Sequence, residues 1–156
     1  MQTPAAALHD LPAHTLLQAY RQRTLSPVEV VQAVLDRIDR WEPHLHATWL
    51  LRPEAALAQA RASEARWLRG APQGLLDGVP CTLKDNIATC GDPTPLGTAA
   101  VDLVPAPADA PPAARLREAG AVLVAKTTMP DYGMLSSGLS SFHALARNPW
   151  DLSKTP

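Results

Sequence analysis

The sequence predicts an α/β fold, and three observations predict it. Ala113 to Ala119 carries a helical pattern that Gly120 terminates, and Ala121 to Ala125 (A-V-L-V-A) follows as an apolar run of strand length, as expected of a sheet buried on both faces. A helix feeding a buried strand is the repeating unit of α/β architecture. Upstream, Leu76 to Ile87 (L-D-G-V-P-C-T-L-K-D-N-I) contains a second strand, in which alternation puts Val79, Cys81 and Leu83 on one face and Pro80, Thr82 and Lys84 on the other. Amphipathic helices with their own start and stop signals precede both strands.

From the amino terminus, Leu11 to Arg23 places Leu16, Leu17 and Tyr20 at helical spacing. Ser26, Pro27 and Glu29 then form an S-x-x-E capping box with proline at the first helical position, so a second helix starts there. Its stripe of Val30, Val31, Val34, Leu35, Ile38 and Trp41 recurs at three- and four-residue intervals until Pro43 is expected to end the run. Ala47 to Leu51 reads as a short strand. Pro53 to Arg69 is alanine-rich, with Leu57, Ala60, Glu64 and Leu68 on a periodic pattern, and Gly70 and Pro72 close this third helix. Gly91 to Pro112 holds too many prolines and glycines for a long regular element and is expected to be an irregular loop with one or two turns, wrapping across the surface or over a site. Ser136 to Ser141 (S-S-G-L-S-S) has the composition of a loop rich in backbone contacts. No internal repeat is present.

With 156 residues and 46% hydrophobic side chains the chain can bury the core of one domain, but only 4% are aromatic, so that core is built of small units. A net charge of -1 gives no electrostatic case for nucleic acid, and Arg21, Arg23, Arg37, Arg40, Arg61, Arg66 and Arg69 are interleaved with acids or alanines, as on solvated helix faces. Two cysteines, Cys81 and Cys90, form no disulfide framework and fit no metal or redox spacing. The amino terminus lacks a basic region followed by an apolar core, and no apolar run approaches the ~20 residues that span a bilayer. A soluble cytoplasmic protein without membrane attachment is the expectation.

Lys84 is the candidate for chemistry. A general base must be deprotonated near neutral pH; burial disfavours an ammonium, so a lysine inside an apolar strand end can accept a proton. Taken alone, a lysine after an apolar run reads more readily as a surface residue paired with Asp85. The surrounding residues reverse that preference. G-V-P-C-T-L-K-D-N-I resembles the lysine-bearing motif of the amidase signature family of serine-dependent amide hydrolases. Arg115 to Pro130 (R-L-R-E-A-G-A-V-L-V-A-K-T-T-M-P) is similar to that family's helix, turn and strand after the lysine, and Arg147 to Pro156 (R-N-P-W-D-L-S-K-T-P) to the approach to its Gly/Ser-rich signature.

The resemblance implies the amino-terminal part of an amidase-signature fold, a mixed sheet flanked by helices, incomplete in this chain. Residues 1–156 are then the first segment of a single amidase domain: helical over 11–70, the lysine strand at 76–87, the proline-rich loop at 91–112, helix and strand at 113–126, and a loop towards the signature at 127–156. It also implies a Ser-cisSer-Lys triad with Lys84 as the catalytic lysine, acting through a bridging serine on a nucleophilic serine. Neither serine nor an oxyanion hole is among these residues, so the chain is expected to be a fragment, inactive by itself. Met134, Ser136 and Ser137 match positions where the family's chain passes the substrate carbonyl and are carried over as substrate-binding residues; solvated loop serines are the ordinary alternative. S-S-G-L-S-S-F-H departs from the family pattern, in which a threonine and an acidic residue often follow the serines.

Other candidates read as structural. Lys126, at the end of the second strand, is the rival base, and the resemblance places its counterpart away from the chemistry. Asp85 and Asn86 are expected to hold the turn after the lysine strand through contacts to backbone amides. His143 could pair with Ser137, Ser141, Cys81 or Cys90, but no G-x-S-x-G elbow or catalytic cysteine context supports it, and a packed or surface histidine is the plainer reading. His44 and His46 lie near a helix end and lack a third ligand for a metal. Trp150, with Pro149, is expected to anchor the chain onto the core.

Two functions of different class follow. One is an amidase acting on a small-molecule carboxylic amide through a serine acyl-enzyme, with no cofactor, no metal, no direct nucleic-acid contact, and a complete enzyme that is a candidate homodimer; within the family, the variant is an amidotransferase component releasing ammonia for charged tRNA. The other is a noncatalytic remnant or a folding and interaction module, whose uncovered edges and apolar surface favour partner binding or aggregation.

Overall fold

A computed structural model of the chain describes residues 7–156. It divides into two compact units. The first holds the chain up to Ile38 with Arg52–Cys81 and Leu116–Val124; the second holds Asp39–Leu51, Thr82–Arg115 and Ala125–Pro156.

In the first unit, α1 (Ala13–Gln22) ends where Arg23 takes a left-handed conformation, φ 59°, and its N–H closes on Ala19 and Tyr20 carbonyls. The capping box at the start of α2 (Pro27–Leu45) forms as the sequence predicts: the Val28 N–H donates to Ser26 Oγ at 3.0 Å and the Ser26 N–H to Glu29 Oε2 at 2.8 Å. The Ser26 hydroxyl also donates to Glu64 of α3 (Pro53–Leu68). Leu16, Tyr20, Val30 and Trp67 form a buried cluster, with Leu11, Leu17 and Leu25 packed against it.

The inward face of α3 differs from the predicted one. Ala56, Ala60, Ser63 and Trp67 are buried, whereas Leu68 is 56% exposed and Leu57 only half-buried. Small residues at 56, 60 and 63 present a flat helix surface, and the indole of Trp67 dominates the end of the stripe: it lies 6.1 Å from the Tyr20 ring and donates to the Asp77 carbonyl at 3.1 Å. Immediately before it, Arg66 departs from the solvated row predicted for the arginines. It grips the fully buried Asp77 with two bonds, Nε to Oδ2 at 2.9 Å and Nη2 to Oδ1 at 2.6 Å, while the Gln73 N–H donates to Oδ2 at 2.7 Å. Burial alone would raise the Asp77 carboxyl; the Arg66 fork and the Gln73 N–H outweigh it and hold the carboxyl below its ordinary range.

In the second unit, the last turn of α2 runs through Pro43 to Leu45 rather than stopping before it. Pro43 forfeits its own helical donor, but the turn is sealed by the His46 N–H to Glu42 carbonyl bond at 3.0 Å, and the Glu42 carboxylate accepts the Ala47 and Thr48 N–H groups. The strand predicted for 47–51 contracts to β1 (Thr48–Trp49), because Leu50 turns into a left-handed conformation, φ 51°. From Asp85 to Ala110 no regular element forms; isolated bridges at Cys90–Ala106 and Pro93–Pro105 pin the proline-rich stretch to itself. Both cysteines are free thiols. A helix, α4 (Pro111–Glu118), begins two residues ahead of the pattern at Ala113.

Strands β2 (Pro80–Lys84) and β3 (Val122–Thr127) supply residues to both units. The sheet order is β1, β3, β2. β1 pairs antiparallel with β3, Thr48 opposite Thr127 and Trp49 opposite Lys126. Between β2 and β3 the bonds ascend together, Val122 N–H to Val79 carbonyl and Asp85 N–H to Thr127 carbonyl, so this pair is parallel and the sheet is mixed. The stretch 85–121, which contains α4, is the crossover that a parallel pair demands.

Candidate active site

Lys84 ends β2 on the face that alternation assigns to it, but that face is open: Leu83 is 5% exposed while Lys84 is exposed. This corrects the expectation of a buried amine. Alternation decides which face a strand residue joins; what covers that face is a tertiary matter, and the described residues do not cover Lys84. Beside the amine lies Gly133, where a Cβ would stand 3.9 Å from Lys84 Nζ. Gly133 has φ 70° and follows Tyr132, φ 51°, so the chain there is a left-handed turn whose glycine carries no side chain towards the lysine.

The buried lysine is Lys126, 3% exposed. Its Nζ has no hydrogen-bond partner among the described residues and lies 5.9 Å from the ring of Trp49, its cross-strand neighbour. Burial holds the ammonium below the usual lysine range, against the opposing pull of Asp85 and Asp92.

Asp85 follows Lys84 directly and is fully buried. Its backbone N–H donates to the Thr127 carbonyl at 2.9 Å. Its Oδ2 accepts the Gly97 N–H at 2.6 Å and lies 3.2 Å from His143 Nε2. The expectation that Asp85 binds backbone amides holds, but its grip reaches across to Gly97 rather than into the local turn; Asn86 is exposed. Only glycine fits at 97: φ is 68°, and a Cβ would come within 2.5 Å of the Met129 and Pro130 carbonyl oxygens.

His143 pairs with Asp85 and not with a serine or cysteine. Its ring completes a three-ring cluster, 5.3 Å from Trp49 and 4.9 Å from Phe142, which themselves meet edge-on at 5.5 Å. Nothing beside His143 in the sequence announces this; the available signal was the buried carboxylate that the lysine motif brings with it, which needs a donor.

Ser140 and Ser141 organise the loop through their hydrogen bonds. Ser140 Oγ donates to the Gly97 carbonyl and accepts the Phe142 and His143 N–H groups at 3.1 and 2.8 Å. Ser141 binds Asp131 through both its hydroxyl and its N–H, and its Oγ accepts the Ala99 N–H at 3.0 Å. Those bonds hold the Asp131 carboxyl below its ordinary range. The Tyr132 N–H donates to the Leu96 carbonyl at 2.8 Å. Loops 96–99 and 131–143 are thus stitched together on both sides of the turn at Gly133.

The candidate substrate-binding residues lie just beyond that turn. Met134 is 80% exposed, Ser136 is exposed, and Ser137 Oγ accepts the Leu139 N–H at 3.3 Å in a local turn. Trp150 does not anchor the chain: it is 94% exposed. A self-contained turn explains this, with Asn148 Oδ1 accepting the Trp150 N–H, the Asn148 N–H donating to the Lys154 carbonyl and Asp151 accepting from Ser153. His44 meets Trp41 edge-on at 6.4 Å, and the His46 carbonyl accepts the Thr128 hydroxyl. Among the described residues no helix is long and apolar enough to cross a membrane.

A family model described as Amidase matches residues 29–156. Among curated proteins, the chain is 39% identical over 131 residues to the glutamyl-tRNA(Gln) amidotransferase A-subunit from Gloeobacter violaceus, covering 84% of this chain and 27% of that protein. It is 37% identical over 149 residues to the protein of the same name from Coxiella burnetii, covering 96% of this chain and 31% of that one. The chain therefore spans less than a third of the length of these relatives. Among solved structures, a crystal structure of an amidase superposes with a TM-score of 0.85 at 31% identity, over 93% of this chain and 33% of that one. The native peptide amidase from Stenotrophomonas maltophilia superposes with a TM-score of 0.78 at 32% identity, over 96% of this chain and 31% of that chain.

Proposed function

Because the chain belongs to the amidase family, we propose that it supplies the base, Lys84, for hydrolysis of a carboxylic amide through a serine acyl-enzyme, the serines coming from sequence outside these 156 residues. The observation that carries this reading is the setting of Lys84: an exposed amine at a strand end, in the motif G-V-P-C-T-L-K-D-N-I, beside a turn whose glycine puts no side chain next to it. Lys126 fits the role less well, since an amine 3% exposed and roofed by Trp49 cannot meet a substrate.

In this scheme Lys84 accepts a proton from a bridging serine as that serine takes one from the nucleophilic serine, whose oxygen attacks the amide carbon. The amine leaves with a returned proton, and water then hydrolyses the ester. Backbone N–H groups stabilise the tetrahedral oxyanion. Covering of Lys84, and the desolvation a lysine base needs, comes from polypeptide and substrate closing over the open face of β2. Met134, Ser136 and Ser137, next along the chain from Gly133, line the approach of the amide in this reading. The reaction calls on no cofactor and belongs to a cytoplasmic enzyme.

The test is ammonia release from a panel of small carboxamides by protein that contains these residues together with the Gly/Ser-rich block. Lys84→Met is expected to lower kcat/KM by roughly 10²- to 10⁴-fold, the range of general acid–base catalysis, with Lys126→Met far milder. The 156-residue chain alone is expected to be inactive. Full activity in Lys84→Met would overturn the proposal.

The names of the curated relatives favour a second reading, in which the same chemistry releases ammonia from glutamine for transfer to a charged tRNA within a larger protein complex. Glutamine hydrolysis stimulated by partner proteins and glutamyl-tRNA supports this reading; efficient hydrolysis of simple amides without them supports the first.

A further inference from the structure

We propose that His143 is a positioning residue for Lys84, acting through Asp85. The inference rests on the reading of Lys84 as the functional amine and adds a group which that chemistry does not use.

His143 does no chemistry at a substrate itself. It is 9% exposed, its ring packs against both Trp49 and Phe142, and its Nε2 faces Asp85 Oδ2 at 3.2 Å. In the tautomer that carries its proton on Nε2, the ring donates to this carboxyl oxygen. Asp85 is fully buried, and Oδ2 takes both of the carboxylate's hydrogen bonds, from His143 and from the Gly97 N–H, while Oδ1 has none among the described residues. His143 is therefore one of two partners holding a fully buried carboxyl group in place, and losing it leaves that group short of a hydrogen bond.

That carboxylate governs the ground around Lys84 from two directions. Along the chain, Asp85 is the next residue: its N–H is tied to the Thr127 carbonyl, and its inward side chain fixes the strand end from which Lys84 projects. Across space, Asp85 holds Gly97. The Leu96 carbonyl takes the Tyr132 N–H, and Gly133, the next residue, is the one whose Cβ would stand 3.9 Å from Lys84 Nζ. Ser140, three residues before His143, holds the Gly97 carbonyl and accepts the His143 N–H, so the histidine and the turn it serves are locked by the same hydroxyl. The imidazole, the carboxylate and the Leu96–Gly97 turn form one continuous path to the wall beside the amine.

The experiment uses the 156-residue chain, which has three lysines, Lys84, Lys126 and Lys154. Two quantities are read: hydrogen exchange of the Gly97 N–H by NMR, and acylation of Lys84 by limiting acetic anhydride, expressed relative to exposed Lys154 by mass spectrometry. In His143→Leu, Gly97 exchange is expected to quicken by about tenfold or more as its acceptor loosens, and the Lys84 to Lys154 ratio to change. His143→Gln keeps an N–H donor at similar reach and is expected to restore both values towards the parent. Unchanged Gly97 exchange and an unchanged ratio in a folded His143→Leu overturn the proposal; so does a His143→Gln variant as perturbed as His143→Leu, because ring packing and not the hydrogen bond would then be responsible. Should His143→Leu fail to fold, the parent decides by itself. A slowly exchanging imidazole Nε2 proton, coupled by nuclear Overhauser effect to the Gly97 amide region, upholds the pairing, and a rapidly exchanging one overturns it. None of these readings requires amide hydrolysis, so a failed function for Lys84 would show in the kinetics of Lys84→Met and leave this result standing.

Discussion

Lys84 and Asp85 are consecutive, yet the first is exposed and the second fully buried. The β2 strand ends between them. Beyond it, Asp85 turns inward to take the Gly97 N–H, leaving the preceding amine on the open face. An accessible basic group is thereby attached to a rigid base without being packed itself, and the rigidity of that base is what the following experiments probe.

Gly97 is the point where the base is tightest. A Cβ there would meet the Met129 and Pro130 carbonyl oxygens at 2.5 Å, at a backbone φ of 68°. Gly97→Ala is expected to destabilise the chain by about 2–4 kcal/mol, combining backbone strain with a clash against unyielding carbonyls. Urea unfolding followed by circular dichroism measures it; a loss under about 0.5 kcal/mol, typical of a neutral surface change, would refute the close approach.

Removing Arg66 leaves Asp77 buried with its charge uncompensated. Arg66→Met is expected to cost about 3–5 kcal/mol, the usual range for breaking one side of a buried pair, in the same unfolding assay. The fork also sets an acid limb. Asp77 titrates lower in the folded chain than in the unfolded one, so its contribution is complete above the ordinary carboxylate range and is lost as pH falls towards and through the depressed folded value. Stability of the parent should decline over that window, and Arg66→Met should decline less steeply.

Lys126 makes the opposite limb. Its folded pKa lies below that of the unfolded chain, so between the two values the unfolded state binds more protons and stability rises with pH, the gain being complete above the ordinary lysine range. Lys126→Met keeps the stem against Trp49 and removes an amine without a hydrogen-bond partner among the described residues. It is expected to stabilise the chain near neutral pH by about 1 kcal/mol and to abolish the alkaline rise. An unaltered rise in the variant would assign it to another group.

The Ser26 cap links two helices. Its hydroxyl accepts the Val28 N–H and donates to Glu64. Ser26→Ala is expected to lose about 1–2 kcal/mol, the upper range for an N-cap, and Glu64→Gln less, as thermal melts would show.

Much of the element order was legible because the signals are local. The S-x-x-E box at Ser26, the Gly120 stop and the apolar run after it each depend on neighbours a few residues apart; the box forms as written, and the helix and strand flanking Gly120 form with ends shifted by one or two residues, Pro111–Glu118 and Val122–Thr127. What failed was decided by distant residues. Leu57 and Leu68 made a plausible stripe on α3, but Trp67, one residue off it, had Tyr20 and the Asp77 carbonyl as partners. The family motif put Lys84 forward as a candidate, yet its exposure and the burial of Lys126 reflect what lies over each strand face, and no periodicity records that. The partner of His143 was not legible because Asp85 stands 58 residues earlier in the chain.

Trp150, at 94% exposure, stands apart from the three other tryptophans, Trp67 being 8% exposed and Trp41 and Trp49 half-buried. Its emission is consequently expected to be the reddest of the four and the first to be extinguished by acrylamide. Anything that comes to shelter that corner of the molecule would blue-shift this one signal, giving the chain an intrinsic optical gauge of association that needs no added dye.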